Sequence, residues 1–93
     1  MIGDREIDAD EAWRVQHQAS QTNDLLVWTV TTGTKDYGDK FVARPNAIRG
    51  GPRPLPVVLI ADTLETLQKK LPVGLFQMPR QIGDDPVIIE TWV

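Results

Sequence analysis

The chain has 93 residues, 41% of them hydrophobic and 25% charged, with a net charge of -3 at pH 7. That length supports one domain with one modest core, and the composition is too apolar for wholesale disorder. The sequence has no cysteine, which excludes disulfides and thiolate chemistry. The longest apolar runs fall far short of the roughly 18 residues of a membrane span, and the acidic balance disfavours general nucleic-acid binding.

The opening MIGDREIDADE is acidic and polar, unlike a signal or transit peptide, so a cytoplasmic protein is expected. Asp8 and Glu11 stand at capping-box spacing, and helix-favouring residues run on to Gln21. Ala12, Val15 and Ala19 mark one face, with Trp13 beside it, which predicts a helix over 9–21. The face is thin, so a partly frayed arm is the competing reading. Thr22-Asn23-Asp24 is a turn signal.

Leu25 to Thr32 alternates as a strand, with Leu26, Trp28 and Val30 on one face. Residues 33–39, with Gly33, Gly38, Asp36 and Asp39, suit a turn. Lys40 to Arg44 then reads as a short third strand, and the two strands form a hairpin with a long loop. Residues 45–56, PNAIRGGPRPLP, hold four prolines and two glycines and predict an exposed loop, part of it polyproline II.

Val57, Val58, Leu59 and Ile60 are a continuous apolar run, expected of a strand covered on both faces and therefore central. A helix over 62–71 follows directly. Asp62 and Glu65 give capping spacing, and Leu64, Leu67 and Leu71 make its apolar face. Lys69 and Lys70 suit its C-terminal dipole, and Pro72 stops it. Leu75 to Met78 reads as a short strand or extended segment, Gln81 to Asp85 as a turn, and Pro86 to Val93 as a closing strand.

These elements predict an α+β fold in one globular domain spanning residues 1–93. About four strands form an antiparallel or mixed sheet, with helix 62–71 packed on one face and helix 9–21 beside it. The alternative is a more open sheet that completes itself by dimerising, with Pro86–Val93 or the hairpin as its exposed edge.

Chemistry is sparse. His17 is the single histidine and Ser20 the only serine, with no Gly-x-Ser-x-Gly around it, so neither a zinc site nor a Ser-His-Asp triad is expected. Asp36 with Asp39, and Asp84 with Asp85, are carboxylate pairs able to hold a hard cation or do acid–base work; turn and capping roles also explain them. No P-loop or Gly-x-Gly-x-x-Gly is present. No catalytic residue, metal ligand or cofactor is assigned.

Residues 25–54 carry Lys35, Lys40, Arg44, Arg49 and Arg53 against Asp36 and Asp39, a basic island on an acidic chain. Such an island meets an acidic partner or phosphate, or pairs with the molecule's own acids. Arg53-Pro54-Leu55-Pro56 resembles the start of an SH3 ligand, but the next proline such a motif wants is replaced by Leu59. Trp13, Trp28 and Trp92 are core or anchor candidates, and Trp92 is the one expected to stay partly exposed. The candidate binding residues are therefore Lys40, Arg44, Arg49, Arg53 and Trp92.

Several stretches carry a resemblance. Asp36-Tyr37-Gly38-Asp39-Lys40-Phe41-Val42-Ala43-Arg44-Pro45 and Asp84-Asp85-Pro86-Val87-Ile88-Ile89-Glu90-Thr91-Trp92 do so, with Asp62-Thr63-Leu64 and Leu71-Pro72-Val73-Gly74-Leu75 between them. Together they resemble a group of small uncharacterised bacterial proteins. The resemblance implies a bacterial or phage origin and transfers no site residue.

The expected function is a small non-enzymatic protein-interaction module whose partner is another protein or a second copy, as a homodimer, with no membrane. The alternatives are a small-ligand or metal-dependent enzyme using Asp36/Asp39 or Asp84/Asp85, and nucleic-acid binding through residues 40–53.

Overall fold

The structure is a computed structural model and describes residues 5–35, 37–49, 51, 53–78 and 88–93. Among these residues it is α+β, with two helices on one face of a mixed seven-stranded sheet and a radius of gyration of 12.5 Å. The strands are β1 (Arg5–Glu6), β2 (Leu26–Thr31), β3 (Phe41–Ala47), β4 (Arg53–Pro54), β5 (Val57–Ala61), β6 (Gln77–Met78) and β7 (Ile88–Trp92). The helices are α1 (Ala9–Gln21) and α2 (Leu64–Lys70). The sheet order is β1-β5-β3-β2-β7-β6, with β4 beside β3. Three of these strands have only two residues, too short for an alternation signal to appear, so seven strands stand where about four are expected.

Helix α1 begins where its cap predicts. An Asp8 carboxylate oxygen accepts the Glu11 amide at 2.8 Å, and Ala12 is fully buried beneath Val15 and Ala19, which are half-buried. The Gln16 side-chain oxygen accepts the Trp28 indole N–H at 2.8 Å, which ties α1 to β2. Trp28 is fully buried, and the pairing satisfies its one polar atom.

Helix α2 begins one residue later than its predicted cap. Thr63, not Asp62, is the N-cap: its hydroxyl accepts the Thr66 amide at 3.1 Å. The Asp62 carboxylate turns away to pair with Lys40, 22 residues upstream. The predicted apolar face holds, with Leu67 and Leu71 buried and Leu64 half-buried against the core.

The apolar run of β5 is buried on both faces but is not central. It lies between β3 and the two-residue β1, which runs parallel to it. Val57, Leu59 and Ala61 join the core under the helices; Val58, on the opposite side by alternation, is also fully buried. The middle of the sheet is the β2–β3 hairpin, paired from Leu26↔Ala47 to Thr31↔Val42.

Strand β3 runs three residues into the expected proline-rich loop, through Pro45. Pro45 is tolerated inside a paired strand because its carbonyl faces Leu55, accepting that amide at 3.0 Å. Its nitrogen faces the same way, so β2 loses no hydrogen bond. Arg53–Pro54 returns as β4 on the Asn46–Ala47 end of β3.

Strand β7 lies between β2 and β6, and the hairpin lies inside the sheet, so neither is the exposed edge foreseen for dimerisation. Sequence order hides this, because β6 folds back along β7 from the far side of α2. The Gln81–Asp85 turn, together with Pro86 and Val87 of the expected closing strand, lies outside the described residues.

Candidate functional site

The basic candidates do not form one patch. Lys40 stands just before β3 and pairs with Asp62. Each holds the other charged: the ammonium beside Asp62 sits above its ordinary value, and the carboxyl beside Lys40 sits below its own. Arg44 lies mid-strand on the face away from the helices, its guanidinium 5.4 Å over the Tyr37 ring. Arg49 stands past the other end of β3 and donates to the Thr22 carbonyl at the end of α1, at 3.3 Å, where a cation suits the helix dipole. Seven residues of β3 separate Lys40 from that end, about 20 Å. Arg53 lines a hollow of about 280 Å³ floored by Val15, Leu26 and Leu55.

Trp92 is half-buried on the helix-covered face, opposite Trp28 on the next strand and away from every one of these cations. Its indole N–H donates to the Glu90 carboxylate at 2.9 Å. Glu90 is only 5% exposed. It also accepts from Gln68 Nε2 of α2 and Gln77 Nε2 of β6, each at 2.9 Å. A buried carboxylate therefore knots α2, β6 and β7 together through neutral donors, with no ion pair to Glu90 among the described residues. This cluster escapes sequence reading because its partners lie 13 and 22 residues away. The one local hint is that alternation puts Glu90 on the same face as Trp92.

Among the described residues the sheet ends on β6, and the flank that leads into it is apolar. The flank Leu71–Met78 contains no charged residue. Val73 is 83% exposed, Phe76 77% and Met78 40%. The Phe76 amide donates to the Val93 carbonyl at 2.7 Å and the Val93 amide donates back at 2.9 Å, so the backbone here is already extended and paired on its inner side. Phe76 and Met78 project on the face away from the helices, since Gln77 between them reaches Glu90 on the helix side.

A second hollow, of about 600 Å³, opens at the end of the sheet where β5 hands over to α2; Lys40, Asp62 and Lys70 stand at its rim.

Of the carboxylate pairs, Asp39 is exposed, and Asp36, Asp84 and Asp85 lie outside the described residues. Among the described residues, no group of three or more His, Cys, Asp or Glu side chains is placed to hold a metal, and no helix is long and apolar enough to cross a membrane. His17 stacks on Trp13 on α1, their ring centroids 4.8 Å apart, and lies 3.2 Å from the Gln21 side-chain amide. Comparison with protein-family models, curated proteins and solved structures finds no match to this chain.

Proposed function

We propose that this chain is a small non-enzymatic interaction module that binds another protein, or a second copy of itself, along the β6 edge. One observation carries the reading: among the described residues, an extended, uncharged, exposed segment with Val73, Phe76 and Met78 at its surface ends the sheet. Contiguous exposed apolar surface marks association sites, and an unguarded strand edge offers backbone donors and acceptors to an incoming strand. Glu90, with Gln68, Gln77 and Trp92, fastens that edge to the core, so the surface is presented rigidly. Trp92 thus serves the interface from beneath.

The scattered basic residues give the nucleic-acid reading no continuous stripe to follow a phosphate backbone. Lys40, Arg44, Arg49 and Arg53 lie on and around β3, separated from β6 by β2 and β7, and act only as long-range charges that steer an acidic partner toward the molecule.

Sedimentation velocity over a range of concentrations reads self-association, and capture on the immobilised chain with low- and high-salt washes reads a foreign partner. The proposal expects a bound species that survives high salt, because the contact is apolar. A species released by salt alone points instead to the basic residues.

A further inference from the structure

The hollow at the end of β5 is independent of the β6 edge and carries a different chemistry. Its rim holds two cations and two anions, Lys40 and Lys70 against Glu6 and Asp62. Tyr37 and Thr66 add a phenol and a hydroxyl. Ile60 and Ala61 contribute apolar atoms. Its volume of about 600 Å³ lies within the range of small-molecule sites.

The charges are close enough to act together. Lys40 pairs with Asp62 directly and feels Glu6, and Asp62 also feels Lys70. Lys70 is half-buried, and among the described residues its ammonium makes one hydrogen bond, to the Ile60 carbonyl at 2.9 Å. An ammonium has three donors, so two remain for a ligand. The Lys40–Asp62 pair is exposed on both sides, and such pairs contribute little net stability. A ligand able to replace each partner's counter-charge opens it at small cost.

A simple anion entering here meets two carboxylates, and a simple cation meets two ammoniums. A molecule that carries an ammonium and a carboxylate on one carbon meets neither penalty. We infer that this hollow binds a free α-amino acid, with its carboxylate between Lys40 and Lys70, its ammonium between Asp62 and Glu6, and its side chain toward Ile60 and the Tyr37 ring. The apolar lining favours an aliphatic or aromatic side chain, and the open, roomy shape predicts weak discrimination among them.

The test is NMR titration of the full chain with leucine, N-acetylleucine, leucinamide and inorganic phosphate in parallel. Leucine is expected to saturate by about 10 mM, moving the Lys40, Asp62, Thr66 and Lys70 amides, while each blocked derivative binds at least about tenfold more weakly. Asp62→Asn and Lys70→Met should each weaken leucine by about tenfold or more, and added salt should weaken it further. Because Lys70→Met also removes an anchor of α2, Lys40→Met, which touches only the exposed pair, serves as the second variant. Absence of leucine saturation overturns the inference, as does equal binding of leucine and its blocked forms. Phosphate displacing leucine with Asp62→Asn binding phosphate more tightly identifies an anion site and likewise overturns it.

Discussion

The two edges of the sheet are built on opposite principles. At one edge, β1 is two charged residues: Arg5, whose guanidinium pairs with Glu11, and Glu6. Charge and shortness are the usual protections of an edge strand against pairing with a foreign chain. At the other edge, β6 is equally short but sits in an uncharged flank that leaves Val73 and Phe76 in water. Among the described residues, the fold thus places charge at one edge and exposed apolar side chains at the other. Beneath the β6 edge lies the buried Glu90 carboxylate with its three neutral donors, and among the described residues the β1 edge has no such cluster. The contrast teaches that β6 is held in place more firmly than its two residues of ladder would require, which fits a surface kept for use.

Variants that exchange the character of the edges test the comparison, and the largest effect is expected at the knot. Glu90→Ala leaves the donors of Gln68, Gln77 and Trp92 without their acceptor, at about 1–3 kcal/mol for each left buried. A loss of at least about 3 kcal/mol in denaturant unfolding is expected, with hydrogen exchange rising in β6 before β5. Unchanged exchange in β6 would detach Glu90 from the edge. Next, Leu67→Ala should cost about 2–5 kcal/mol by opening a cavity under α2 while leaving both edges as they are, so association should persist in the folded fraction. A smaller change, Thr63→Ala, should cost about 1 kcal/mol as a lost cap, and Asp62→Asn less than that. The reverse order would restore Asp62 as the cap.

The edge itself can be moved. Replacing Arg5 and Glu6 together by Val strips the guarded edge of charge and should raise self-association in sedimentation without lowering the melting temperature by more than a few degrees. The pH dependence is modest and has opposite signs at the acid and alkaline ends. Asp62 is held below its ordinary value by Lys40, so its contribution is present above the unfolded carboxylate value and is lost as pH falls through the folded one. Lys40, raised by Asp62, loses its contribution only as pH climbs past the ordinary lysine range. Thermal unfolding of Asp62→Asn should therefore approach the parent at low pH and fall behind near neutrality; a constant gap would contradict the pairing.

What the sequence made legible follows from where each element's causes lie. Helix α1 is set by its cap Asp8 and by Ala12, Val15 and Ala19 within it, and its bounds match. The apolar faces of β2 and α2 are local too, and both are buried as read. The cap of α2 depended on Lys40, a distant residue that claims Asp62, and so shifted by one position. The place of β5 depended on β1, whose two polar residues give no pattern. Burial on both faces does not fix a strand's place: Val57, Val58 and Leu59 are buried although only the two-residue β1 lies outside β5. The basic island was real in sequence but not in space, because a strand carries successive residues steadily apart and alternates their faces. Glu90 went unread because a carboxylate among Ile89, Thr91 and Trp92 looks like the polar half of an alternation until Gln68 and Gln77 arrive from other elements.

The claim that β6 is the binding edge is tested most directly by comparing the parent chain with Phe76→Asp and Arg53→Glu in high-salt capture and sedimentation, all three checked for equal melting temperature. The account predicts that the parent and Arg53→Glu hold the same partner, foreign or a second copy, and that Phe76→Asp loses it by at least about tenfold. Equal retention by Phe76→Asp, loss confined to Arg53→Glu, or no bound species on the parent would contradict it.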